Sequence, residues 1–305
     1  MSRPALLSDR RRFLALTGGT ALATALGSVL TSPAPAWADP RFPENPFTLG
    51  VASGEPTSDG IVLWTRLALD PTAPDGTGGM PERTLTVDWQ VAEDSRFRRV
   101  VRAGAAKASP QLAHSVHVEV RGLRPDREYW YRFRVGKHLS RVGRTRTAPA
   151  ANAALRSLDF AFASCQNMPE GYFTALRHLS EEDLDFVIHL GDYIYEGGAQ
   201  GTIGRGHLPA AETFSLADYR VRHGQYKTDP DLQAAHAAFP WLVTLDDHDV
   251  ENNWAGPYSQ PDDEPDQDPE VFLQRRAAAF QAFYENLPLR LTSRPEGPDM
   301  QLYRR

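Results

Sequence analysis

The chain has 305 residues, of which 41% are hydrophobic and 24% are charged, and its formal net charge is -6. This composition is typical of a globular chain that is long enough to form two domains. The acidic balance disfavours a nucleic-acid-binding module, which usually presents a basic surface. Because Cys165 is the single cysteine, the chain cannot form an internal disulfide bond.

Residues 1–38 have the pattern of an export signal. Three arginines at 10–12 precede a moderately apolar stretch, and Ala36-Trp37-Ala38 offers a small-residue cleavage site. Paired arginines followed by x-Phe-Leu resemble a twin-arginine signal. We therefore expect the twin-arginine export machinery as a partner, and a secreted, periplasmic or cell-wall-associated location. The alternatives are an ordinary signal peptide or an N-terminal anchor, although the stretch is too short and Gly-rich for a stable membrane span.

Residues 45–148 have the pattern of an all-β domain. Short segments that alternate polar and apolar residues are separated by turn residues, as in half-buried antiparallel strands. The predicted strands lie at 61–66, 84–91, 117–120 and 129–135. Their spacing predicts a β-sandwich of the immunoglobulin or fibronectin type, and no residue within it has a catalytic pattern.

After a linker of small residues at 147–154, residues 155–305 alternate strands with helices. Apolar strands are predicted at 158–163, 186–190 and 241–245, and helices at 171–184, 216–226, 231–239 and 271–286. This alternation predicts an α/β domain in which helices cover both faces of a layered sheet.

Side chains that bind metals follow each of these three apolar strands. Cys165 follows the first, Asp192 and Tyr195 follow the second, and Asp247-His248 follow the third. Ligands gather at the carboxyl ends of strands in open α/β sheets. The alternatives are a buried structural cysteine and a solvated acidic turn. The recurrence at three strand ends favours a binuclear metal centre, with Asp246 and Asp249 in supporting roles.

Four segments resemble a known family. They are Phe-Ala-Ser-Cys-Gln-Asn at 162–167, His-Leu-Gly-Asp-Tyr-Ile-Tyr-Glu at 189–196, Asp-Asp-His-Asp-Val-Glu-Asn-Asn-Trp at 246–254, and the segment at 47–56. The first three, in chain order, resemble the motifs of the PhoD-type alkaline phosphatases, which are calcineurin-like metallophosphoesterases. The segment at 47–56 resembles the opening of that family's N-terminal sandwich domain. The resemblance spans nearly the whole chain after residue 38.

The resemblance implies an iron and calcium site. By position, Cys165, Asp192 and Tyr195 would bind iron, and Asp192 would also bridge to calcium. Asp247 stands where related enzymes have an asparagine ligand, and Asn252 could add an amide oxygen, as could its neighbour Asn253.

The same resemblance implies hydrolysis of phosphate monoesters and diesters by a metal-activated water or hydroxide. His248 would be the catalytic residue, because it matches the histidine that supports the transferring phosphoryl group. The implied partner is a phosphate-ester substrate.

One feature departs from the family pattern. Members have a Gly-Asp-x-His type segment in a later half, whereas His248 is the last histidine of this chain. We therefore expect a chain truncated at its C-terminus, with only the N-terminal part of the metallophosphoesterase domain. Two alternatives remain. A purple-acid-phosphatase-like enzyme would have an aspartate in place of Cys165, and a catalytically weak or inactive secreted module would bind a partner or phosphate.

Overall fold

The computed structural model describes residues 42–301. The predicted export signal at 1–38 and the last four residues of the predicted second domain lie outside this range. The strands are β1 (Val51–Gly54), β2 (Gly60–Arg66), β3 (Leu85–Ala92), β4 (Val100–Ala108), β5 (Ser115–Arg121), β6 (Glu128–Val135), β7 (His138–Leu139), β8 (Gly143–Arg146), β9 (Phe160–Ala163), β10 (Phe186–His189) and β11 (Pro240–Val243). The helices are α1 (Thr174–Glu181), α2 (Leu216–Lys227), α3 (Pro230–Ala238) and α4 (Pro269–Asn286).

The larger sheet contains strands from both predicted domains. Its order is β5-β2-β1-β11-β10-β9. Strands β9, β10 and β11 run parallel, and β1 continues this parallel arrangement beside β11. Strand β2 pairs antiparallel with β1, and β5 pairs antiparallel with β2. The α/β segment and the all-β segment therefore share one continuous mixed sheet.

The remaining strands form a second, five-stranded antiparallel sheet. Its order is β4-β3-β6-β7, and β8 also pairs with β6. One apolar core lies between this sheet and the β5-β2-β1 end of the larger sheet. It includes Ile61, Leu63 and Val118 from one side and Tyr131 and Phe133 from the other. The predicted all-β character of residues 45–148 is confirmed, because this part contains strands and a single short 3-10 turn.

The helices lie close to their predicted positions. Helices α2, α3 and α4 begin and end within two residues of the predictions, and Ser215, Asp229 and Asp268 each cap one of them by accepting backbone N–H groups. Helix α1 is shorter than predicted, because Gly171 before it and Glu182 after it have extended backbone. None of the helices between residues 42 and 301 combines the length and apolar character needed to cross a bilayer.

The helices cover one face of the larger sheet, so the expectation of helices on both faces is wrong for the described residues. All four contribute side chains to one core, with Leu176, Tyr219, Leu232 and Phe272 as examples. The same core contains Val187, Trp241 and Val243 from one face of β10 and β11. The physical reason is that β9, β10 and β11 are neighbours in chain order. Right-handed crossovers between consecutive parallel strands place every linking helix on the same side.

The opposite face is covered by the five-stranded sheet at β1, β2 and β5, and it is open along β9 and β10. Phe160 and Phe162 point to this open side together with Phe186, since the register pairs Phe160 with Phe186. Phe162 is 70% exposed and Phe160 stacks on Phe186. Apolar residues on this side are therefore solvated in this chain.

Two buried side chains of β2 fasten the sheet to α4. Trp64 donates its indole N–H to the carbonyl of Glu285 at 2.9 Å. Arg66 donates to the Asn286 side chain at 3.0 Å and to the carbonyls of Ala113 and Gly76. Because a buried guanidinium is costly unless its donors are paired, these contacts fix α4 over the junction of the two segments.

The one-sided packing predicts different costs for the same substitution on the two faces. Phe283→Ala, at a side chain that is 1% exposed in the helical core, should lower the free energy of unfolding by about 3–5 kcal/mol. Phe162→Ala should lower the free energy of unfolding by less than about 1 kcal/mol, because the Phe162 side chain buries little apolar surface. Urea unfolding of both variants measures the difference, and equal losses would contradict the one-sided arrangement.

Candidate metal centre

The three predicted clusters meet at one edge of the larger sheet. Because β9, β10 and β11 are parallel and in register, their carboxyl ends lie side by side. Backbone hydrogen bonds continue beyond the strands, from Cys165 to the carbonyl of Gly191 at 3.2 Å and from Gln166 to that of Asp192 at 3.2 Å. The first two clusters are thus joined directly through their main chains.

A tight turn at Gly191-Asp192 directs the central carboxylate. Gly191 has φ +108°, and a Cβ atom there would collide with Cβ and the backbone nitrogen of Asp246. Glycine is therefore required where the turn after β10 touches the loop after β11. Asp192 and Cys165 also have positive φ, 53° and 56° respectively. Two non-glycine residues in this sparsely populated region mark a locally strained pair of turns.

Asp192, Asp247 and His248 form the nucleus of the site. One potential ligand atom from each lies within 4.8 Å of the others. The Tyr195 hydroxyl donates to Asp192 Oδ2 at 3.1 Å, and Cys165 lies on the adjoining turn, where its backbone N–H donates to the carbonyl of Gly191. The structure therefore brings Asp192, Tyr195, Asp247 and His248 together and places Cys165 on the adjoining turn, and metal ligation by Cys165, Asp192, Tyr195 and Asp247 stays a prediction.

The electrostatics of this nucleus suit a cation. Burial raises the pKa of Asp192, against the lowering effect of the neighbouring Cys165 thiol. Burial and the Asp192 charge raise the pKa of Tyr195 well above its usual value. Asp192 Oδ1 is buried and has no hydrogen-bond partner among residues 42–301. An unpaired carboxylate oxygen beside a thiol, a phenol and an imidazole is a donor set that a metal ion would satisfy.

His248 is held by a carboxylate that the sequence analysis did not assign. Its Nδ1 lies 2.8 Å from Glu196 Oε2, and its ring packs 4.3 Å from that of Tyr195. Burial lowers the pKa of His248, but the hydrogen bond and charge of Glu196 outweigh it and raise the pKa overall. Glu196 lies four residues after Asp192 in the second cluster, and this position is the feature of the sequence that could have indicated its role.

Asp249 ties the second cluster to the third. Its fully buried carboxylate accepts the backbone N–H groups of Tyr193 at 2.9 Å and Ile194 at 3.2 Å through Oδ1, and that of Asp246 at 3.1 Å through Oδ2. Burial raises the pKa of Asp249 to about 7. The expectation that Asp249 supports the site agrees with these contacts.

Asn252 and Asn253 are connected to the site through their backbones. Asn252 donates its backbone N–H to Glu196 at 2.8 Å, while its side-chain Nδ2 donates to Gln260 Oε1 at 2.6 Å. Asn253 donates its backbone N–H to Asp247 Oδ2 at 2.7 Å. Metal ligation by Asn252 stays a prediction, and its amide oxygen is left available by these contacts.

The cross-link by Asp249 predicts a measurable cost for its removal. Asp249→Asn keeps the size of the side chain but replaces one acceptor oxygen by a donor, so one buried N–H group loses its partner. We expect the free energy of unfolding to fall by about 1–3 kcal/mol. Urea unfolding measures it, with Asp183→Asn at an exposed position as the control. Equal stability of the two variants would show that the cross-link contributes nothing.

Comparison with known proteins covers most of the chain. The PhoD-like phosphatase family matches residues 160–305, and the N-terminal domain of PhoD-like phosphatases matches residues 32–149. Alkaline phosphatase D of Bacillus subtilis (strain 168) is 52% identical over 303 residues, which are 97% of this chain and 51% of that protein. A solved structure of PhoD is 54% identical, with a TM-score of 0.81 over 87% of this chain and 50% of that one. The chain spans about half the length of these relatives, and it belongs to the PhoD-like phosphatase family.

Proposed function

We propose that the chain is, or is part of, a metal-dependent hydrolase of phosphate monoesters and diesters. The observation that carries this proposal is the convergence of Asp192, Asp247 and His248 at the sheet edge, with Tyr195 hydrogen-bonded to Asp192 and Cys165 on the adjoining turn. A relative that is 52% identical is named alkaline phosphatase D, and that name supports a phosphatase activity. Because the chain spans half of that protein, the activity of this chain is an inference to be tested.

The donor types support iron and calcium as the metals. Cys165, Asp192 and Tyr195 would hold iron, since thiolate, carboxylate and phenolate are anionic ligands that suit an acidic metal ion. Asp192, Asp247 and the amide oxygen of Asn252 would hold calcium, which prefers oxygen ligands. Such ions lower the pKa of a bound water and neutralise charge on a phosphoryl group.

The residues of the chain have separate tasks in this proposal. Glu196 orients His248 by accepting a hydrogen bond at Nδ1, which leaves Nε2 free to donate to a phosphoryl oxygen. The raised pKa of His248 favours the imidazolium form, whose positive charge suits an anionic ester. Asp249 and Gly191 hold the two turns in the positions that this arrangement needs.

Location and the type of the N-terminal sandwich are further parts of the proposal. The sequence pattern of residues 1–38 supports export by the twin-arginine route to the periplasm, the cell wall or the medium. The two packed sheets over residues 45–148 support an immunoglobulin- or fibronectin-like sandwich. A catalytically weak or inactive secreted module is the alternative that the test below distinguishes.

Metal content and turnover together test the proposal. The purified chain should contain iron and calcium and should hydrolyse nitrophenyl phosphate and its bis-ester, and Cys165→Ala should lose the iron. Ser164→Ala, at the exposed neighbouring position, should keep it. Absence of both metals with no turnover of either ester would favour the inactive module. Unchanged iron in Cys165→Ala would exclude Cys165 as a ligand.

The role of Glu196 predicts a change in pH dependence. Glu196→Gln keeps an acceptor for the Asn252 backbone but removes the charge that raises the pKa of His248. The imidazolium form is then lost at lower pH, so the alkaline limb of the kcat profile should move to lower pH. Glu181→Gln, an exposed change at the end of α1, is the control. An unmoved profile would mean that protonated His248 does not assist the reaction.

A further inference from the structure

A second group of carboxylates lies outside the site described above. Glu251, Asp262 and Glu264 each bring one carboxylate oxygen within 4.8 Å of the others. Glu251 follows the turn that carries Asp247 and His248, whereas Asp262 and Glu264 lie in the loop at 255–268 that leads into α4. We call these three residues the loop cluster.

The loop cluster has much more negative than positive charge around it. Arg275 of α4 pairs with Asp266 at 2.9 Å, Glu264 at 3.3 Å and Glu251 at 3.5 Å, and its other terminal nitrogen pairs with Glu212 at 2.5 Å. Asp262 has no ion pair among residues 42–301. One guanidinium therefore faces four carboxylates, and two of these, Glu251 and Asp266, are fully buried.

One oxygen of Glu251 has no partner. Its Oε1 accepts the Ser259 hydroxyl at 2.7 Å and faces Arg275. Its Oε2 is buried and has no hydrogen-bond partner within the described part of the chain. The two oxygens share one carbon, so Oε2 also lies at the cluster. A buried carboxylate oxygen without a donor is costly, and a bound cation would satisfy it.

The loop holds Asp262 in place with uncharged donors. Gln260 Nε2 donates to Asp262 Oδ2 at 2.8 Å, and Gln267 Nε2 donates to Oδ1 at 2.8 Å. Burial and the adjacent Glu212 raise the pKa of Glu264 against the opposing charge of Arg275. Asp262 is thus positioned by uncharged donors, and the single charge of Arg275 is shared among the other carboxylates.

We propose that Glu251, Asp262 and Glu264 form a binding site for a calcium ion, separate from the candidate metal centre. Oxygens up to 4.8 Å apart can share one Ca²⁺, whose ligands lie at about 2.3–2.6 Å in flexible geometry. Mg²⁺ needs closer, near-octahedral ligands at about 2.0–2.1 Å and usually keeps its own waters. The all-carboxylate ligand set excludes a preference for soft metals.

The ion would fasten the 255–268 loop to the segment that carries the candidate metal centre. Gln260 contacts Asp262 through its Nε2 and accepts Asn252 Nδ2 through its Oε1 at 2.6 Å. Asn252 in turn donates its backbone N–H to Glu196, the partner of His248. Binding of calcium at the loop cluster would therefore order the loop residue that contacts Asn252.

Calcium titration of a chain without the candidate metal centre tests the proposal. The full chain with Asp192→Asn and Asp247→Asn should still bind one Ca²⁺ by calorimetry, and calcium should raise its Tm. Adding Asp262→Asn or Glu264→Gln should weaken the calcium Kd at least about tenfold, because calcium affinity follows the number of charged ligands. Both changes lie at partly exposed positions, so the folded chain should survive them.

Asp263→Asn is the matched control, since Asp263 is an exposed neighbour outside the cluster. It should leave the calcium Kd within about twofold, the scatter expected for a surface charge. An equal weakening of the calcium Kd in Asp263→Asn would mean that the acidic loop attracts calcium non-specifically, which would overturn the site. An unchanged Kd in both cluster variants would also overturn it. A magnesium Kd as low as that for calcium would overturn the choice of ion. These results do not depend on catalysis, because the double-variant background lacks the centre of the proposed function.

Discussion

The candidate metal centre depends on one buried carboxylate. Asp249 accepts backbone N–H groups from Tyr193 and Ile194, which directly follow Asp192, and from Asp246, which directly precedes Asp247. Two turns that leave neighbouring strands are thereby held in contact, and Gly191 permits the contact by lacking a Cβ atom. Acidic side chains that lie this close repel one another, and the hydrogen bonds of Asp249 hold the two turns together against that repulsion.

The sheet beneath these turns is wider than the α/β segment alone could make it. Strand β1 pairs with β11, so the sheet that ends in the metal-binding turns continues into the antiparallel strands of the N-terminal segment. Without β1, β11 would be an edge strand with unpaired backbone groups. Trp64 and Arg66 then anchor α4 across the same junction. The N-terminal segment is therefore part of the support of the site.

Local signals in the sequence account for most of what was predicted correctly. Apolar runs that end in Cys165, Asp192 and Asp247 identify three strand ends, and parallel pairing brings them together. The pairing of β1 with β11 has no local signal, because it joins residues nearly 190 positions apart. The partners of His248 and Asp249 depend on how two loops fold against each other. The one-sided helices follow from strand order, which the pattern of apolar residues does not reveal.

The candidate metal centre and the loop cluster differ from two other buried carboxylates in how little positive charge compensates them. At Glu285 and Asp229 a single arginine matches each buried carboxylate, Arg220 for the first and Arg205 for the second. At the candidate metal centre and at the loop cluster, carboxylates outnumber nearby cations, and each group contains a buried oxygen without a partner, on Asp192 and on Glu251. Folding tolerates an unpaired buried charge only where something else compensates it. The same physical argument therefore assigns a cation to both groups, and the five-residue segment from Asp247 to Glu251 places them at its two ends.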